Sequence, residues 1–288
     1  MKLVTFEQNG KTGIGALRAD DTIVALGAAA PNLPTDMKSF LAAGADALAA
    51  AQQAVSNAPA SAIVKRADVK LRAPVTNPGK IICVGLNYAD HAKEAGLPLP
   101  EYPTVFSKYS NTVNDPGGNI VLPKISAEPD YECELGVVIG RRAKHVSQAD
   151  ALNYVAGYLP FHDVSARDFQ GRTSQWTLGK TFDTFAPMGP ALVTSDEVGD
   201  PHTLDIQLSI GGEVLQKSNT SNLIFKIDFL VSYLSAILTL EPGDVIATGT
   251  PAGIGGARKP PRFLKPGETV RIEISKLGVL ENPVVAEA

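Results

Sequence analysis

The stretch DYECELGVVIG, residues 130–140, reads as a core β-strand that carries two acids, Glu132 and Glu134. Successive strand side chains point to opposite faces, so residues two apart share a face and lie roughly 7 Å apart along the chain. Both carboxylates therefore look the same way. The run Leu135 to Ile139 is apolar and rich in β-branched residues, which takes the strand into the interior rather than along the surface. Two carboxylates on one face of a buried strand repel each other and resist desolvation, so one protonates unless a cation sits between them.

The text around this strand is dominated by further short strands punctuated by Gly and Pro. KIICVGLNY, AGYLPFHDVSA, MGPALVT, LDIQLSIGG, DVIATGTP and TVRIEISKLG all read as strands. Few helices alternate with them, which argues against a doubly wound parallel sheet and for a folded β-sandwich or roll, mainly β with short helices. One helix is SQADALNYV, where Ser147 and Asp150 make a capping pattern; another is the amphipathic run NLIFKIDFLVSYLSAILTL. At the N-terminus, Asn9-Gly10 between two apolar runs signals a hairpin, and an Ala-rich helix is expected from about Asp36, its N-cap, to Val55. The prolines and glycine of LRAPVTNPGK place a boundary between a small N-terminal α+β module, residues 1–73, and a larger domain, residues 74–288.

Composition excludes several functions. The 288 residues carry a net charge of −4 with both signs interspersed, and no basic block tracks a phosphate backbone, so nucleic acid is not an expected partner. The longest apolar run is interrupted by Lys226 and Asp228 and suits a core helix, not a membrane span. The opening residues lack the apolar core of a signal peptide. Cys83 and Cys133 both sit in apolar runs with no disulfide or zinc spacing, which makes a reducing cytoplasm the expected compartment. No dinucleotide, Walker, zinc-protease or nucleophile-elbow motif occurs, and GTPAGIGG, residues 249–256, is glycine-rich without a P-loop lysine.

The chemistry-bearing residues fall in a few places. Asp163, in GYLPFHDVSARDFQ, is a third acid ending an apolar strand. With Glu132 and Glu134 it offers hard oxygen ligands, suited to Mg²⁺, Mn²⁺ or Ca²⁺ rather than zinc. On spacing alone, the same acids equally suit the solvent face of an edge strand and the cap of a turn. In GLNYADHAKEAG, a short helix stopped by Gly96, His91 and Glu94 share a face, as a general base and its orienting carboxylate would; a surface ion pair fits the same spacing. Lys180 stands among apolar residues in WTLGKTFDTFAPMGP, where an ammonium needs an anion unless its stem snorkels to the surface. Arg167 and Asp168 suit recruitment to the site, but as adjacent charges at a strand end they read first as neighbours that tie down a loop, and Trp176 has no assigned part.

DYECELGVVIG, HDVSARDFQ, LGKTFDTFAPMGP and GDVIATGTPAGIG stand in an order and spacing that resembles the fumarylacetoacetate hydrolase superfamily from about Lys80 onward. HDVSARD and GARKPPRFLKPGE are most similar to the branch called fumarylacetoacetate hydrolase domain-containing protein 2. The resemblance implies a mixed β-roll, usually a homodimer, and one divalent ion held by Glu132, Glu134 and Asp163. It further implies a water-activating dyad of His91 and Glu94, and substrate contacts from Lys180, Gln170 and Thr250. The aspartate that fumarylacetoacetate hydrolase itself carries in a DFY segment has no counterpart beside GLNYADH. The expected substrate is a small 2-oxo or 2,4-dioxo acid, with carbon–carbon hydrolysis of an acylpyruvate as the lead. Oxaloacetate tautomerisation or decarboxylation is the runner-up, and metal or ligand binding without turnover the third reading.

Overall fold

A computed structural model describes residues 1–288. All seven residues of the strand Cys133–Ile139 are buried, and its neighbours on either side are Val155–His162 and Val245–Ala247. Covered on both faces, it needs an apolar run in place of strict alternation. Cys133, Leu135, Val137 and Ile139 point into a cluster of 38 buried residues, whereas Val138, on the side of Glu134, enters a separate cluster of 20.

This strand lies within an eleven-stranded sheet that runs from Ile63–Lys65 at one edge to Thr104–Lys108 at the other. A five-stranded sheet packs on the first cluster, contributing Ile206, Leu208, Val270, Ile272 and Leu280. Pairings are mostly antiparallel, with parallel ones between Ile81–Gly85 and Val245–Ala247, between Ile120–Leu122 and Gly278–Ala286, and between Val113–Asn114 and Ala186–Pro187. The fold is thus mainly β, mixed and folded over, with short helices. All six additional strand segments read from the sequence contain strands.

Asn9 and Gly10 take φ of 51° and 73°, the paired positive values of a two-residue hairpin turn between Lys2–Gln8 and Lys11–Leu17. Asp36 caps a helix by accepting the Ser39 amide at 3.0 Å. That helix does not run through to Val55: Gly44, at φ +75°, divides it into Met37–Ala42 and Gly44–Ser56. Ser147 likewise accepts the Asp150 amide, but the segment it caps, Gln148–Tyr154, is a 3₁₀ run rather than an α-helix. The amphipathic run forms a helix only over Ile227–Ile237, with Leu230, Val231 and Leu234 buried; Lys226 is still extended. No helix is long and apolar enough to cross a membrane.

Residues 1–73 add their strands to the large sheet. Lys2 and Leu3 pair with Val193 and Leu192, and Phe40, Leu41 and Ala51 pack with Val138, Leu159 and Phe161 in the smaller cluster.

Candidate active site

Strand register builds the acidic cluster. Cys133 lies opposite His162, so the next residues outward, Glu132 and Asp163, are neighbours, and the Asp163 amide donates to the Glu132 carbonyl at 3.0 Å. Glu132 sits just ahead of the strand proper, which begins at Cys133. Carboxylate oxygens of Glu132, Glu134 and Asp163 all lie within 4.8 Å of one another, and the three side chains are buried. The edge-strand alternative is thereby excluded.

Three cations meet these acids. Lys180 Nζ donates to Glu132 Oε2 and to Asp163 Oδ2, both at 2.8 Å, so it is a buried partner and not a snorkelling lysine. Lys108 Nζ donates to Asp163 Oδ1 at 2.5 Å and to the Val164 carbonyl at 2.9 Å. Arg167 bonds Glu132 Oε1 at 2.6 Å, Asp130 Oδ2 at 2.8 Å and Gln170 Oε1 at 2.9 Å. The close packing of Thr177–Lys180 on Ala166–Gln170 depends on Gly179, where a Cβ would lie 2.5 Å from the Gln170 amide nitrogen. This contact brings Arg167, Gln170 and Lys180 to one place.

Electrostatics single out Glu134. Burial raises the pKa of Glu132, but Lys180 and Arg167 outweigh burial and hold it below the carboxylate range. Glu134 forms no ion pair; burial and then the charges of Asp163 and Glu132, against the weaker pull of Lys180, push it well above its usual value. Its one hydrogen bond is the Gly249 amide, 2.9 Å from Oε2. Gly249 has φ +103°, and a Cβ there would reach Asn87 and the Val84 carbonyl at 2.8 and 2.9 Å, so only glycine brings that amide close. A hard divalent cation fits this donor set: three convergent carboxylates with no sulfur, one of them lacking a counter-charge.

The helix Ala89–Glu94 ends before Gly96, at φ +66°, as its sequence indicates. His91 Nδ1 lies 3.1 Å from Glu94 Oε2, and Glu94 Oε1 accepts the Gly253 amide at 2.9 Å. The pair is therefore tied to the glycine-rich loop and is no casual surface contact. Asp90 Oδ2 accepts from Ser218 at 2.5 Å, and buried Asn87 bonds both Phe225 and Thr248. Thr250 Oγ1 donates to the Cys133 carbonyl at 3.0 Å and accepts from Gln216 at 2.8 Å. Its hydroxyl holds the loop in place.

A cavity of about 210 Å³ is lined by His91, Glu132, Glu134, Gln170, Lys180 and Thr250. Glu94 stands behind His91 and Asp163 behind Lys180, so all eight residues expected from the sequence assemble around one space. Reading the sequence missed Arg167 and Trp176, which also line it, and Lys108, which backs it. The adjacent Asp168 suggested a local partner for Arg167, but that acid bonds Ser126 instead. Lys108 is the one buried residue of Thr104–Lys108, and its ammonium pairs with Asp163, which follows the buried strand Val155–His162; its mostly exposed strand gave no apolar run for the charge to interrupt.

The family profile described as fumarylacetoacetate (FAA) hydrolase C-terminal matches residues 80–285. "Oxaloacetate tautomerase fahd2, mitochondrial" of Xenopus laevis is 46% identical over 290 residues, covering 99% of this chain and 90% of that protein. Among solved structures, the fumarylacetoacetate hydrolase of Exiguobacterium antarcticum superposes with a TM-score of 0.86 at 32% identity over 100% of both chains. The maleylpyruvate hydrolase of Sphingobium sp. SYK-6, in complex with manganese(II) ion and pyruvate, does so with a TM-score of 0.84 at 30% identity, again over 100% of both.

Proposed function

This chain belongs to the fumarylacetoacetate hydrolase family and is an enzyme of it, and from that premise we propose that it interconverts the keto and enol forms of oxaloacetate with the help of a divalent metal ion. The observation that carries this reading is the likeness to an oxaloacetate tautomerase along 99% of the chain. It moves the expected order: keto–enol exchange, the runner-up in the sequence, takes precedence over hydrolysis of an acylpyruvate. Binding without turnover drops out of the ranking. The small cavity supports a four-carbon acid, since it falls below the range that holds drug-sized ligands.

In this reading Glu132, Glu134 and Asp163 hold the ion, Mg²⁺ or Mn²⁺. When bound, the ion polarises the 2-oxo oxygen as a Lewis acid. His91, with Nδ1 engaged by Glu94, presents Nε2 as the base that takes a proton from C3. An ammonium has three donors. Lys180 commits two of them to Glu132 and Asp163, and the third meets the 2-oxo oxygen where negative charge grows. Lys180 stays an ammonium between its two carboxylates; the enol hydroxyl takes its proton from solvent, to which His91 returns the one it took from C3. Gln170, whose Oε1 accepts from Arg167, turns its NH₂ to a substrate carboxylate, and the Thr250 amide meets the same group.

The test is enol ultraviolet absorbance with Mg²⁺ or Mn²⁺ present, alongside NMR of the products. Expected is metal-dependent, chelator-sensitive exchange without pyruvate formation, lost in His91→Ala. Rapid release of pyruvate from an acylpyruvate, with oxaloacetate exchange unaffected by the enzyme, would return hydrolysis to first place. The homodimer implied by the family resemblance is part of the same proposal and is checked by light scattering. Two buried free thiols suit any reducing compartment, of which the expected cytoplasm is one. The Xenopus relative is named mitochondrial, a compartment that suits buried thiols equally.

A further inference from the structure

Trp176 has no part in the chemistry above, yet the fold takes care to place it. A Cβ on Gly85 would lie 2.4 Å from Trp176 Cζ3 and 2.9 Å from Cη2, so the indole rests directly on the glycine backbone. Phe106 meets it edge-on, with ring centroids 5.4 Å apart. The indole is thus held by two elements of the large sheet, Ile81–Gly85 and Thr104–Lys108.

What it separates is visible in the cavities. Beside the 210 Å³ cavity lies a second of about 510 Å³, and the two share Arg167, Gln170, Trp176 and Ile254 as lining residues. Arg167 is fixed by Asp130, Glu132 and Gln170, so it is not free to move aside. Trp176 and Ile254 are the shared residues held only by packing. The outer cavity continues past them along Thr173, Pro261 and Phe263, a mixed wall suited to a carbon chain with a polar end.

We propose that Trp176, together with Ile254, is the partition that sets how long a 2-oxo acid this enzyme accepts. The inference rests on the reading of the inner cavity as the 2-oxo acid site. An acid whose 2-oxo end is at Lys180 and whose chain is four carbons long stays on the inner side. Each further methylene has to pass the residues that line both cavities, the indole and Ile254 among them, into the outer one. Removing the indole joins the two spaces, and the chain of a longer acid then has somewhere to go.

The test uses calorimetric titration of the Mn²⁺-loaded full-length protein with straight-chain 2-oxo diacids of four to seven carbons. It compares wild type with Trp176→Ala, Ile254→Ala and Gly85→Ala, all matched for melting temperature and Mn²⁺ affinity. Wild-type affinity is expected to fall by about tenfold or more for each added methylene. In Trp176→Ala that fall shrinks to less than about tenfold over the whole series. Gly85→Ala displaces the indole without removing it and moves the profile the same way, and the emission of the single tryptophan shifts to the red. Trp176→Phe restores part of the discrimination.

An unchanged length profile in Trp176→Ala and Gly85→Ala, in proteins that melt and bind Mn²⁺ as wild type does, overturns the partition. A length cut-off that the variants abolish, in an enzyme that does not tautomerise oxaloacetate, upholds the partition and overturns only the proposed reaction. Failure of every 2-oxo acid to bind the Mn²⁺-loaded wild type overturns both.

Discussion

Lys180 is 2% exposed, and its ammonium is tolerable there only because two carboxylates receive it. Burial lowers its pKa, but Asp163 and Glu132 outweigh burial and hold the pKa above the usual lysine value. Lys108, with one acid instead of two, is driven below it by burial. Replacing Lys180 with Met keeps the stem and removes the charge, leaving Glu132 and Asp163 to repel across an emptied position. We expect Lys180→Met to lower the stability of the metal-free protein by about 3–5 kcal/mol, the cost of an uncompensated buried charge. Mn²⁺ should recover part of that loss without restoring turnover. Thermal and denaturant unfolding with and without Mn²⁺ checks this; equal stability of variant and wild type would mean that Lys180 is not the counter-charge. At this scale the sequence was informative where a charge interrupts an apolar run, which is why Glu132, Glu134, Asp163 and Lys180 could be read. It was silent on Arg167, because pairing with Glu132 and Asp130 across 35 and 37 residues is a product of folding, whereas the adjacent Asp168 offered a false partner.

Elements here are shorter than their sequence patterns, and tertiary bonds decide where they stop. The six residues Ala89–Glu94 are too few to hold a helix alone; Ser218, Gly253 and Asn87 fasten it, so His91 is positioned by distant strands. Its Gly96 stop could be read locally, whereas the division of the Ala-rich helix at Gly44 could not, because alanine periodicity continues through it. The helix Ile227–Ile237 begins where it does because His202 Nε2 accepts the Ile227 amide at 3.1 Å. That bond requires a neutral imidazole. Burial lowers the pKa of His202, against the opposing pull of Asp200 and Asp228. A base whose folded pKa is lowered leaves the unfolded chain binding more protons, so stability falls as pH falls through about 6.5. His202→Gln, which retains an acceptor and does not titrate, should remove that part of the slope. The difference between the two proteins should be about 0.5–1.5 kcal/mol, the worth of one hydrogen bond. His162, held near a pKa of about 3 by burial and by Lys108, contributes to both proteins and cancels in the difference. Parallel slopes in urea titrations across this window would show that the helix start does not depend on His202.

The whole molecule is a sheet shared between two stretches of sequence that look separable. The composition change near residue 73 suggests a boundary, and the family profile begins only at residue 80. Hydrogen bonding runs across that boundary regardless. Thr5 donates to the Pro74 carbonyl at 2.7 Å, the Met1 ammonium to the Thr194 hydroxyl at 2.7 Å, and Lys2–Gln8 extends the sheet beyond Leu192–Thr194. Sequence shows a change of composition but not which edges a module will pair with, since strand partners are set by the finished sheet. We propose that residues 1–73 form a module by sequence that does not separate by stability. Without them, Leu192–Thr194 becomes an open edge, and Val138, Leu159 and Phe161 lose Phe40, Leu41 and Ala51 from their cluster. Each large apolar side chain so uncovered forfeits about 1.5–3 kcal/mol, and a few such losses match the net stability of an ordinary domain. A fragment of residues 74–288 should therefore aggregate or melt well below the full chain, even though it carries every residue of the proposed site. Sedimentation and near-ultraviolet circular dichroism of the fragment decide the matter. A fragment with native dichroism and metal-dependent turnover would make the N-terminal stretch an independent domain, and would limit its part in the site to none.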